Sequence, residues 1–130
     1  MLSSIARMLT GALAALYATM GLVLFLAPYW AAPHFAWNVS PFVAMTIGGW
    51  CLGNAWAAFI VARRWRFSLI VSGLVYLGLF GLFETAVALT FLSKLKLGHW
   101  LGWLYVVTLA VNLIQAAVCL RDYLSSRPRI

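Results

Sequence analysis

The sequence predicts an all-α polytopic membrane protein, a four-transmembrane-helix antiparallel up-down bundle in one domain. Three observations predict it. Of the 130 residues, 65% are hydrophobic and only 8% charged, with a mean hydropathy of +0.99. So small a soluble domain needs far more polar surface. The apolar residues fall into four runs, each of the roughly 20 residues that cross a bilayer. The links between later runs are too short for any but antiparallel neighbours.

The first run is 8–27, and Pro28 ends it. It exceeds the h-region of a signal peptide, about 7–15 residues, so an uncleaved span is expected. The second is 42–62. Ser40-Pro41 opens it: a serine hydroxyl caps free amides, and proline suits the first helical position. Asn38-Val39-Ser40 is formally a glycosylation sequon, but with Pro41 next a helix entry is the expected use. The third run is 67–92, long enough to tilt. The fourth is 101–120.

Charge sets the expected orientation. The formal charge is +7, with Glu84 and Asp122 the only acids. The basic residues stand at the ends of apolar runs, leaving no surface for a nucleic-acid groove; anionic lipid headgroups at the cytoplasmic face are the expected partner. Arg7, Arg63, Arg64, Arg66, Arg121, Arg127 and Arg129 fall on one side of a four-span topology, and Lys94 and Lys96 on the other. The positive-inside rule then places both termini in the cytoplasm of a bacterial inner-membrane protein. Trp30, Trp37, Trp100 and Trp103 form an outer aromatic belt, with Trp65 and Tyr123 at the inner boundary. Cys51 and Cys119 differ in depth by about 15 Å at 1.5 Å per residue, too far for a disulfide within the chain.

Helices associate in lipid through small residues and buried polar groups. Gly49, Gly53 and Ala57 on the second span form a small-residue face for helix packing. The fourth span carries Tyr105, Thr108, Asn112, Gln115 and Cys119 at alternating spacings of three and four, one helical face that Asp122 continues. The first span offers Thr10, Ala14, Tyr17 and Gly21. The third offers Tyr76, Phe80, Glu84 and Val87. Asn54 lies on the second span at a depth similar to Asn112.

Glu84 is the one acid inside a span, and such residues mark functional sites by default. No Lys or Arg shares its depth; its expected partners are Thr108, Tyr105 and Asn112, with Thr19 and Tyr17 on the first span. The intramembrane polar site read from the sequence is thus Glu84, Tyr105, Thr108, Asn112, Gln115, Tyr17 and Asn54.

His34 and His99 lie on the outer side among tryptophans. An imidazole there can ligate haem iron or a chlorophyll magnesium, which makes them candidate cofactor ligands. Neither lies deep between facing spans, and the sequence requires no cofactor. It has no HExxH, no Cys-His cluster, no paired carboxylates and no nucleophile–base pair, so no metal site or enzyme activity is expected.

The stretch Phe35 to Trp50, FAWNVSPFVAMTIGGW, resembles the first outer loop and second span of small uncharacterised bacterial four-helix membrane proteins. There too Phe-x-Trp and Ser/Thr-Pro precede a Gly-rich span. The resemblance covers about a third of the chain. It implies topology and no mechanism.

The expected role is non-enzymatic: an accessory or structural subunit of a larger membrane complex, contacting other membrane subunits or a second copy. Trp50 and Trp56, on different faces of one helix, leave at least one indole for lipid or a partner. The alternative is a small transporter coupled to protons or cations through Glu84.

Overall fold

A computed structural model describes residues 3–126. Helices dominate it, and no strand occurs among the described residues. The first helix, α1, runs Ser4–Leu26. It begins four residues before the apolar run because Ser3 caps it, its hydroxyl accepting from the Ala6 amide at 3.3 Å. It ends where Ala27 turns to φ −131°. A residue before proline is pushed out of the α region. Pro28 then opens the one-turn helix α2, Pro28–Ala31, at a position where a missing amide costs nothing. A 3-10 turn, Ala32–His34, follows.

Helix α3 is Pro41–Arg64, with Ser40 as its cap: the hydroxyl accepts from the Val43 amide at 3.2 Å. It stops at Trp65, which adopts φ 40° and ψ 47°, a left-handed cap that usually falls to glycine. Trp65 packs with Val61, Ile70 and Tyr123 in a small cluster near this turn. Helix α4 is Phe67–Thr90, two residues shorter than the apolar run, because Leu92–Lys94 tighten into a 3-10 turn. Helix α5 is Trp100–Ser126. It extends six residues past its apolar run, carrying Arg121 and Asp122 within the helix.

All four long helices are long and apolar enough to cross a membrane. At about 1.5 Å per residue each exceeds the roughly 30 Å of a hydrocarbon core. Their outer faces expose Leu26, Trp50, Trp56, Leu82 and Phe83, surfaces that suit lipid and not water.

Helix α1 organises the packing. It lies along α3 over the most extensive interface and against α5 over a second; α4 rests mainly on α5 and touches α3 less. The α1–α3 approach differs from the expected small-residue face. The tight position is Gly48, where a β-carbon would stand 2.6 Å from the Phe25 amide nitrogen; at Gly21 one would meet Leu52 at 2.9 Å. The buried face of α3 is Ala44, Gly48, Cys51, Asn54, Ala55, Ala58 and Val61. Gly49 only borders the Phe25 ring at 3.9 Å, Gly53 has open space around it, and Ala57 is half-buried. One residue is about 100° of helix, which turns Gly49 and Gly53 off the contact.

The third span differs too. Its buried positions are Ile70, Leu77, Gly81 and Ala88. Tyr76 and Val87 are exposed, and Phe80 and Glu84 are half-buried at the edge of the interface.

Hydrogen bonds tie the helix ends. Arg7 donates through Nε to the Ala62 carbonyl at 2.7 Å and through Nη2 to Arg63 at 3.0 Å. A cation is thereby fixed at the C-terminus of α3, where the helix dipole favours it. The Ser3 amide and hydroxyl both donate to Asp122 Oδ2, the amide at 3.1 Å. Elsewhere the Lys96 amide donates to Ala36 at 2.7 Å, and its ammonium to Pro33 at 3.2 Å. Arg127 and Arg129, counted above for orientation, lie outside the described residues.

Candidate functional site: the Glu84 cavity and the α1–α5 polar seam

The polar positions of α5 repeat every three or four residues, and the face they share is buried. Tyr105, Thr108, Asn112, Gln115 and Cys119 are all at most 8% exposed. On α1, Thr10 and Tyr17 are likewise buried. The two rows meet as pairs. Asn112 Nδ2 donates to the Tyr17 phenol at 2.9 Å. Gln115 Nε2 donates to the Thr10 hydroxyl at 3.0 Å and to Cys119 Sγ at 3.4 Å. The Thr10 hydroxyl donates to the Ala6 carbonyl at 2.8 Å. With Ser3 and Asp122 at the end, a polar seam runs along the α1–α5 interface.

Asn54 lies outside the seam but is fully buried, its Oδ1 accepting from the Tyr76 phenol at 2.6 Å. Tyr76 thus keeps its ring exposed while its hydroxyl ties α4 to α3. Gly81 on α4 makes room for Asn112: a β-carbon there would stand 2.8 Å from Asn112 Nδ2. Three buried amide atoms, Asn54 Nδ2, Asn112 Oδ1 and Gln115 Oε1, have no hydrogen-bond partner among the described residues.

Glu84 meets the seam from α4. Tyr105 Oη donates to Glu84 Oε2 at 3.1 Å. Of the other expected partners, Thr108 turns its hydroxyl back to the Leu104 carbonyl at 2.7 Å, and Asn112 is engaged by Tyr17. Thr19 is exposed and bonds to Ala15. No ion pair to Glu84 is present among the described residues.

The carboxyl borders a cavity of about 250 Å³. Aromatic rings form much of its wall: Tyr17, Phe35, Trp37, Trp50, Phe80 and Tyr105. Met20, Ile47, Cys51 and Leu109 add further apolar surface, and among the described residues no Lys, Arg or His lines it. The rings brace one another. Phe35 and Trp37 each meet Tyr105 edge to face at 5.8 Å, and Tyr17 meets Phe80 at 6.1 Å. Such pairs contribute about 0.5–1.5 kcal/mol each beyond area burial. Chemically, the arrangement offers one carboxyl, held by a phenol, within a wall of aromatic rings.

Sequence reasoning reached Glu84, Tyr105, Thr108 and Tyr17 but missed the loop residues Phe35 and Trp37. Their signal was the Phe-x-Trp spacing just before the Ser-Pro helix entry. Ser3, the partner of Asp122, was missed as well.

The two histidines come together where the loop after α1 meets the loop before α5. Their rings stack at 4.4 Å with planes 21° apart, and Trp30 packs against both. His99 Nδ1 accepts from the Leu101 amide at 3.2 Å. Stacked imidazoles point their nitrogens along parallel planes and not at a shared centre, so this geometry does not present a two-histidine ligand pair. No group of three or more metal-ligating side chains occurs among the described residues. Cys51 and Cys119 are both free and buried.

Fold and site together define an all-helical protein with four helices of membrane-crossing length, a polar helix seam and an acid-bearing aromatic cavity. Comparison with protein-family models, curated proteins and solved structures finds no match.

Proposed function

We propose that this chain is a non-enzymatic multi-pass protein of the bacterial inner membrane, an antiparallel up-down bundle with both termini cytoplasmic. Its working part is the Glu84 cavity, which passes a proton or another cation. The observation that carries this reading is the position of Glu84. Among the described residues, its carboxyl borders a preformed cavity, has only the Tyr105 phenol as a hydrogen-bond partner, and has no basic residue to neutralise it. The hydrogen bonds of Arg7 and Ser3 at one end of the helices, and of Lys96 at the other, support the up-down order. The arginine excess supports cytoplasmic termini.

The test is reconstitution into vesicles of neutral lipid enclosing a pH-sensitive dye. An imposed membrane potential should drive proton entry in the wild type. Glu84→Gln, which retains an acceptor for Tyr105, should fold and be silent. Equal flux in both would overturn the reading.

The second reading is an accessory subunit of a larger membrane complex. It is favoured by the groove between α3 and α4, where Gly49, Trp50, Gly53, Tyr76 and Phe80 are left for lipid or a neighbouring helix. Native electrophoresis with mass spectrometry in mild detergent tests it. Stable co-migration with other subunits, and no flux from the purified chain, would favour it.

A further inference from the structure

We infer that the Glu84 cavity binds an apolar organic cation, an alkylated ammonium carrying an aromatic or aliphatic body. The inference rests on the ligand-site reading of Glu84 above and names the chemical class that the site takes.

The wall and the charge select it together. A small hydrated metal ion requires about six or more oxygen ligands to replace its water. The cavity has few to give. Besides the carboxyl, it offers the hydroxyls of Tyr105, Tyr17 and Thr108. Tyr105 and Thr108 already donate to Glu84 and the Leu104 carbonyl, and Tyr17 already accepts from Asn112. An anion would find no basic residue among the described ones to hold it there. A neutral apolar molecule would fill the aromatic wall and leave the carboxyl unused.

An alkylated ammonium meets every constraint. It is weakly hydrated, so it loses little on leaving water. Its charge can sit against Glu84 while its alkyl groups contact the rings of Trp37, Phe35 and Tyr105 that line the wall, the chemistry by which aromatic cages hold quaternary ammonium ions. The cavity, about 250 Å³, lies just below the range of roughly 300–1,000 Å³ that holds drug-sized ligands, which suits a compact cation. Entry is available from the side. Trp50 and Val87 line the cavity and are also exposed on the outer faces of α3 and α4. A cation with an apolar body can thus arrive from the bilayer.

The experiment is calorimetric titration of the purified full chain in non-ionic detergent. Three probes share one ring: benzyltrimethylammonium, benzyl alcohol and benzenesulfonate. The expected result is saturable binding of the ammonium alone. Glu84→Gln should weaken it at least tenfold and Trp37→Leu about fivefold, with helix content and elution volume unchanged. Equal binding of the alcohol or the sulfonate, or no ammonium binding by the wild type, overturns the inference. So does a folded Glu84→Gln that binds as the wild type does; should that variant not fold, the probe series and Trp37→Leu decide. Glu84-dependent proton flux in vesicles without ammonium binding removes this inference and leaves the transport reading standing. Loss of both removes both.

Discussion

Asn112 donates from its Nδ2 to the phenol of Tyr17 at 2.9 Å, joining α5 to α1 across 95 residues of chain. Both side chains are buried, and the other amide atom, Oδ1, has no partner among the described residues. Among the described residues the Tyr17 phenol is therefore the one hydrogen-bond partner of the Asn112 side chain. Tyr17→Phe removes the acceptor without changing the ring, and leaves the amide wholly unpaired. It should cost about 1–2 kcal/mol, within the range for helix–helix hydrogen bonds in membranes. Asn112→Leu should cost a similar amount. The double variant should be less destabilised than the sum, with a coupling of about 1 kcal/mol. Unfolding titrations in mixed micelles measure all three. Strict additivity would show that the two side chains do not share their energy.

Gly48 and Gly53 are five residues apart on α3 and have opposite surroundings. A β-carbon at Gly48 would press on the backbone of Phe25, whereas one at Gly53 would meet nothing within 4 Å. Backbone cannot rotate away as a side chain can, so Gly48→Ala must separate α1 from α3. It should destabilise by about 1–3 kcal/mol, seen as a lower melting temperature and early aggregation on size exclusion. Gly53→Ala should stay within about 0.5 kcal/mol of wild type. The opposite ranking would place the close approach on the other face of α3.

These two cases show what a sequence can and cannot disclose. The four helices are legible, because length and hydropathy decide whether a segment suits a bilayer and need no neighbour. Ser40 and Pro41 are legible for the same reason: a cap is local chemistry. The polar row on α5 is legible because a period of three and four puts Tyr105, Asn112 and Gln115 on one face. Which face a small-residue pattern turns inward is not. Gly48 and Gly49 are adjacent, and only the position of α1 decides between them. The sequence carries the polar face of α5 on to Asp122, but the partner it meets there, Ser3, was hidden, a contact across 119 residues. The cavity was hidden most of all. Its wall is drawn from the loop between α1 and α3 and from all four long helices, and no single segment carries its outline.

The contact that draws Glu84 into that wall is the hydrogen bond from Tyr105 at 3.1 Å. Infrared spectroscopy reports it directly, because a carboxyl or carboxylate band moves when a hydrogen-bond donor is withdrawn. Glu84→Gln identifies the Glu84 band by its disappearance from the wild-type spectrum. In Tyr105→Phe, folded and of unchanged helix content, the same band should persist at a shifted frequency. A Glu84 band at the wild-type frequency in Tyr105→Phe would mean that the phenol does not hold the carboxyl, and the account of the cavity built on that pair would fail.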